Sequence, residues 1–264
     1  MQAAIIGYGW VGKSMQQLFP KAYVYDPIFN DRPHDTRKYD YGTDKDKVNK
    51  CDVAFICVPT PNLETGRLDI SIVEEVVAWC NCSLIVIRST VNPGDTAYLS
   101  NKYRKIIVVQ PEYLGETPSH PLLNPKERPF LIIGGTDQGR RKLIEIYQSV
   151  YNANITIRQV TPTEAEVIKL SENRAIAFKV AQCQELYDAC KASHVDYYTV
   201  RDAVYGDDPR FNLWFTFVYP DNRGMNSKCI PKDVYAWAAW AESNGYKPDI
   251  TRALLERNKA WISQ

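Results

Sequence analysis

The chain is predicted to be an α/β protein, with a doubly wound parallel sheet over residues 1–160 and an all-helical domain over 161–264 built on one long helix. Three features carry this expectation. Short, continuously apolar runs alternate with helix-like segments through the first 160 residues, the pattern of strands buried on both faces of a parallel sheet. The first of these runs ends in glycines spaced for a strand-turn-helix unit. After Pro162 no helix breaker appears until about Ser193, enough for one helix of roughly thirty residues.

The totals narrow the class. At 264 residues the chain can bury a sizeable core, and a formal charge of +1 offers no electrostatic case for nucleic acid or an acidic membrane. Seven cysteines, an odd number scattered through apolar segments, read as reduced thiols rather than a disulfide framework. The first strand begins almost at Met1 and no apolar run is long enough to span a bilayer, so a soluble, cytoplasmic protein is expected.

The first element is the strand Ala3–Ile6, followed by Gly7-Tyr8-Gly9-Trp10-Val11-Gly12 and a helix over Lys13–Phe19. Gly7 allows a tight turn, Gly9 lets backbone approach a pyrophosphate and Gly12 brings helix and strand close, while helix amides aim at the phosphates. A second strand, Ala22–Tyr25, stops at Asp26, nineteen residues after Gly7, where a carboxylate can accept hydrogen bonds from an adenosine ribose. Together these predict dinucleotide binding by Gly7, Gly9, Trp10, Val11, Gly12 and Asp26. The acid favours NAD over NADP, because it would repel a 2′-phosphate.

A polar loop over 29–47, with Arg32 and His34, leads to the buried strand Asp52–Val58, which ends in Pro59-Thr60-Pro61. The prolines fix an extended turn at a strand's carboxyl end, where open parallel sheets bind ligands. A helix over Ile70–Cys82 precedes the strand Ser83–Arg88, and Thr90 follows it near the expected cofactor, or simply caps the next helix. The strand Ile106–Val109 runs into Pro111-Glu112-Tyr113-Leu114-Gly115-Glu116; the two glutamates are either solvated or part of a site at the sheet's carboxyl edge. A proline-rich loop to Pro129, the strand Phe130–Gly135, a helix over 138–151 and the strand Ile155–Arg158 complete the first domain.

The long helix opens on Thr161-Pro162-Thr163-Glu164, a capping box with proline at the first helical position. Lys169 and Asn173 stand one turn apart, in line with Ile176, Ala177 and Val180, and are costly to bury unless paired. A shorter helix, Tyr197–Tyr205, precedes a loop containing Arg210. Cys229 lies in a polar loop between Lys228 and Lys232, just ahead of a helix start at about Lys232; nearby positive charge and a helix N-terminus both favour thiolate. Cys51, Cys57, Cys183 and Cys190 read as core. Cys80 and Cys82 lack histidine or acid partners, so no metal is expected. The three histidines, His34, His120 and His194, form no triad motif.

In order and spacing these motifs resemble the UDP-glucose/GDP-mannose dehydrogenase family. The features that agree are the glycine fingerprint with Asp26, Val58-Pro59-Thr60-Pro61, Ser89-Thr90-Val91 with Pro93-Gly94, Pro111-Glu112-Tyr113-Leu114, Lys169 with Asn173, and Cys229-x-Pro231-Lys232-Asp233. The resemblance implies a Rossmann-type NAD domain and a homodimeric enzyme that oxidises the primary alcohol of a nucleotide sugar, UDP-glucose foremost, to a carboxylate with two NAD molecules, serving polysaccharide biosynthesis. It implies Cys229 as the nucleophile that passes through a thioester. Lys169 would stabilise the oxyanions, Asn173 would hold a polarised oxygen or water, Asp233 would orient water and help with protons, Glu112 would activate the hydrolytic water, and Thr90 would position that water or the nicotinamide. Pro59 and Thr60 would line the cofactor. Tyr113, Leu114, Glu116 and Lys232 would support the substrate, and Arg210 would reach a neighbouring subunit's site.

Two departures stand out. The family's glycine-rich run before the cysteine is replaced by Asp221-Asn222-Arg223-Gly224-Met225-Asn226-Ser227-Lys228, with one glycine, and the chain ends where the family continues into another nucleotide-binding domain. Two other readings fit the same residues. One is a single-step hydroxyacid or sugar-acid dehydrogenase, which has no need of the thiol. The other is a non-catalytic NAD-binding regulatory protein.

Overall fold

The computed structural model describes residues 1–28, 40–115, 120, 122 and 124–263. The strands are β1 (Ala3–Ile6), β2 (Tyr23–Tyr25), β3 (Tyr41–Gly42), β4 (Val53–Ile56), β5 (Leu84–Ile87), β6 (Ile107–Val109), β7 (Phe130–Gly134) and β8 (Thr156–Val160). The helices are α1 (Trp10–Leu18), α2 (Lys45–Asn49), α3 (Ser71–Trp79), α4 (Asp95–Tyr103), α5 (Asp137–Tyr147), α6 (Pro162–Ala192), α7 (Tyr197–Asp202), α8 (Ile230–Ser243) and α9 (Asp249–Ile262). The chain divides into two compact units, Met1–Pro61 with Leu68–Lys169, and Asn62–Arg67 with Leu170–Gln264. The division falls within α6, after Lys169.

The first unit is the expected doubly wound sheet, with eight strands in the order β3-β2-β1-β4-β5-β6-β7-β8. The continuously apolar strands are buried on both faces. Ala4, Ile6, Ile56 and Ile87 pack against Val73, Val77 and Leu99 of α3 and α4, and Ile5, Phe55 and Val86 pack against Met15 of α1 and Leu143 and Tyr147 of α5. One pairing differs from an all-parallel sheet: β7 meets β6 antiparallel, in register at Val109 and Gly134. A parallel return needs a crossover, usually a helix. Among the described residues between β6 and β7 there is only a 3₁₀ turn, Pro125–Glu127. The pair β7 and β8, joined by α5, is parallel again.

From residue 40 the polar loop before β4 holds the short edge strand β3 and α2, capped by Asp44, whose side chain accepts from the Asp46 and Lys47 amides. Its earlier part, including Arg32 and His34, lies outside the described residues, as does part of the loop before β7.

In the second unit the rest of α6 is joined by α7, α8 and α9. Ala177, Met225, Val234, Leu254 and Leu255 form one core, and Cys183, Cys190, Tyr197, Tyr205 and Val218 another. The helix expected to reach Tyr205 ends at Asp202 and continues as a π turn, Ala203–Asp207. α8 begins at Ile230, ahead of the start expected from the sequence, because Pro231 falls in the first turn, where its missing N–H costs nothing. The capping box of α6 forms as expected: the Thr161 amide donates to Glu164 Oε2 at 2.7 Å and the Glu164 amide to Thr161 Oγ1 at 3.3 Å. Among the described residues no helix is long and apolar enough to cross a membrane.

Candidate active site

In the first unit, the turn between β1 and α1 is closed by Gly7 at φ +91°, and a Cβ there would sit 2.6 Å from the Cys57 carbonyl oxygen. Only glycine satisfies both conditions. Asp26, buried at the end of β2, ties itself to this turn by accepting from the Tyr8 amide at 2.7 Å, and it also accepts from the Ile28 amide at 2.9 Å. α1 then starts at an exposed Trp10, with Val11 half-buried and Gly12 buried, and has neither a side-chain cap nor an acid in its first turn.

The strand ends of the same unit lie side by side. Thr60 Oγ1 donates to the Thr90 carbonyl at 2.7 Å, and Ser89 Oγ donates to the Val58 carbonyl at 2.7 Å, so the turns after β4 and β5 are stitched together. Pro59 stays exposed and Thr90 half-buried. After β6, Glu112 is buried. Its Oε2 meets Arg88 Nη2 at 2.5 Å, and its Oε1 pairs with Arg128 and accepts from the Tyr113 and Leu114 amides at 2.7 and 2.9 Å. Burial alone would raise this carboxyl's pKa, but the two guanidinium groups and the backbone donor hold it down at about 2. Lys169, on the first turns of α6, places its ammonium 5.0 Å from the centre of the Tyr113 ring. Glu116 lies outside the described residues.

In the second unit Cys229 is the N-cap residue of α8 and is exposed, whereas the other six cysteines are buried. One turn on, the Asp233 amide donates to the Cys229 carbonyl at 3.0 Å. The Asp233 carboxylate is buried, with Oδ2 accepting from Asn173 Nδ2 at 2.5 Å and Oδ1 2.9 Å from Lys232 Nζ. The polar interruption of the α6 stripe at Asn173 is therefore paired, as its burial requires. Arg210 is 80% exposed and is held by its neighbour Asp208, with Nη2 at 2.6 Å from Oδ2.

Residues 21–154 match the NAD binding domain of the UDP-glucose/GDP-mannose dehydrogenase family, and residues 163–260 match its central domain. The chain belongs to this family. It is 27% identical over 239 residues to UDP-glucose 6-dehydrogenase AglM of Haloferax volcanii, covering 82% of this chain and 54% of that one. It is 30% identical over 240 residues to GDP-mannose 6-dehydrogenase of Pseudomonas aeruginosa, covering 83% and 53%. The fold matches a UDP-glucose dehydrogenase of Pyrobaculum islandicum with a TM-score of 0.84 at 24% identity, over 98% of this chain and 68% of that one. The chain spans about half the length of the curated relatives it matches.

The first unit thus contains the family's NAD binding domain, and the glycine turn fits that cofactor although it precedes the matched stretch. A Cβ at Gly9 would meet nothing within 4 Å, so no protein contact demands glycine there. What the missing side chain leaves room for is a ligand lying over the uncapped amides of α1. Asp26, fixed beside that turn, could hold the adenosine ribose, and Pro59, Thr60 and Thr90 at the neighbouring strand ends could line the cofactor.

The environment of Glu112 suits a fixed charge. A carboxylate held so far below neutrality is a weak base, which weighs against the water-activating role that the family resemblance implies. No motif marks either of its two arginine partners. Arg88 was legible as a charge ending a buried strand, and such a charge requires a carboxylate partner; Arg128, in an irregular loop, gave no local signal. Among the described residues no group of three metal-ligand side chains gathers to hold an ion.

Proposed function

We propose that this chain acts as a cytoplasmic, homodimeric, NAD-dependent nucleotide-sugar 6-dehydrogenase that takes the C6 alcohol of UDP-glucose to the carboxylate, with residues 1–160 as its NAD domain and 161–264 as its helical catalytic domain. The observation that carries this reading is the single exposed thiol, Cys229, at the N-cap of α8, one turn before an Asp233 buried between Asn173 and Lys232.

Bound NAD supplies the hydride acceptor, one molecule for each of the two oxidations. The alcohol loses a hydride and a proton to give the aldehyde, and the Cys229 thiolate adds to its carbon. Loss of the second hydride leaves a thioester, which water cleaves to the carboxylate, returning the thiol. Lys169 and Asn173 stabilise the oxygen that gains negative charge at each stage. Asp233 orients the water and moves the protons, while Glu112 holds the Tyr113 and Leu114 backbone in place for the sugar. Lys232 and Glu116 support the substrate, and Arg210 serves the neighbouring subunit.

Purified protein given UDP-glucose and NAD should release two NADH per sugar. Cys229→Ser should stop after one NADH or earlier, with acid formation down by about 10³-fold or more. The low basicity of Glu112 favours one competing reading, a single-step dehydrogenase that never hydrolyses a thioester. One NADH per turnover, unchanged by Cys229→Ser, would establish that reading instead.

A further inference from the structure

The loop that leads to Cys229 is anchored at three consecutive residues. Arg223 points inward: its Nε donates to Gln184 Oε1 at 2.5 Å and its Nη2 to Asp188 Oδ1 at 2.7 Å, both on α6. Asp188 is in turn held by the Trp261 indole N–H at 2.9 Å. Gly224 follows at φ +73°, and a Cβ there would lie 2.7 Å from Asn258 Oδ1. Met225 is buried, and Asn258 of α9 pairs with it as a neighbouring strand would, accepting from its amide at 2.7 Å and donating to its carbonyl at 3.2 Å. Asp221, Asn222, Asn226, Ser227 and Lys228 face outward.

Asn258 is itself 5% exposed, a buried amide in the middle of an otherwise regular helix. Such a group is retained at a cost unless both its polar atoms are used. Here both go to a single loop residue four positions before Cys229. The Ile230 amide adds a shorter tether, donating to Ser227 Oγ at 3.2 Å.

We propose that Asn258, with Arg223, is a positioning residue that holds the 223–225 segment so that Cys229 stays at the N-cap of α8. This clamp fixes where the thiol stands without touching substrate. Its catalytic meaning rests on the proposed role of Cys229.

The test uses iodoacetamide, whose reaction with Cys229 is followed by mass spectrometry at pH 7. Displacing the thiol from the helix N-terminus lowers its thiolate character, so Asn258→Ala should alkylate about fivefold more slowly than wild type. It should also lose about tenfold in Met225 amide protection and about tenfold in kcat, with NAD affinity within twofold. Asn258→Asp keeps the acceptor for the Met225 amide and should recover part of each loss. If Asn258→Ala does not fold, Arg223→Gln is read the same way. Wild-type alkylation and wild-type kcat in a folded variant would overturn the proposal. Should Cys229→Ser keep full turnover, the two-step thioester reading fails, while slower alkylation in Asn258→Ala would still establish the clamp.

Discussion

Glu112 and Glu166 are both buried in the first unit, and pH acts on them in opposite directions. Glu112 has its pKa lowered to about 2, so its contribution is present above the ordinary carboxyl range and is lost as pH falls from about 4.5 toward 2. A shift of that size corresponds to about 3 kcal/mol. Glu112→Gln would leave Arg88 and Arg128 buried without their counter-ion, and should cost about 3–5 kcal/mol in urea unfolding at pH 7; a loss under 1 kcal/mol would mean that the cluster is hydrated. Glu166 reaches from α6 to the start of α4, accepting from the Gly94 and Thr96 amides at 2.6 and 2.9 Å. Burial outweighs these donors, and the nearby Asp95 adds to it, raising the pKa to about 7. The neutral form is therefore favoured by folding, and its stabilisation is complete below about pH 4.5 and lost as pH rises through 7. Between pH 5 and pH 8 the wild type should lose stability relative to Glu166→Gln by up to about 3 kcal/mol. An unchanged difference across that range would show an ordinary carboxyl.

Among the elements, those with a strong local signal were legible in the sequence. The buried runs of β1, β4 and β5 and the capping box of α6 state their structure within a few residues. β3 did not, because a two-residue edge strand in a polar loop has no apolar run to reveal it. The antiparallel meeting of β6 and β7 was equally hidden, since strand direction is decided by the connection and not by the pattern within a strand. The residues proposed for the site divide in the same manner. Cys229 could be picked out from its flanking charges, and Asn173 from its place on an apolar stripe. The partners of Glu112 and the hold of Asn258 on Met225 are long-range contacts, with Met225 and Asn258 separated by 33 positions, and periodicity carries no information at that distance.

For the molecule as a whole, the seam between β6 and β7 sets a pattern of stability. Few backbone hydrogen bonds cross it, and in register only Val109 and Gly134 pair. Continuity across the sheet there rests on side chains: Leu131, Ile133, Leu143 and Tyr147 share one core with Phe55, Val86 and Val108. Apolar contact weakens as temperature falls, whereas the ladders that join β1, β4 and β5 do not depend on it in the same degree. Chilling should therefore loosen β7, α5 and β8 before the rest of the sheet, and their amides should be the first to exchange near 0 °C. A protein stored cold would be most exposed to proteolysis along that flank, and gentle warming would protect it.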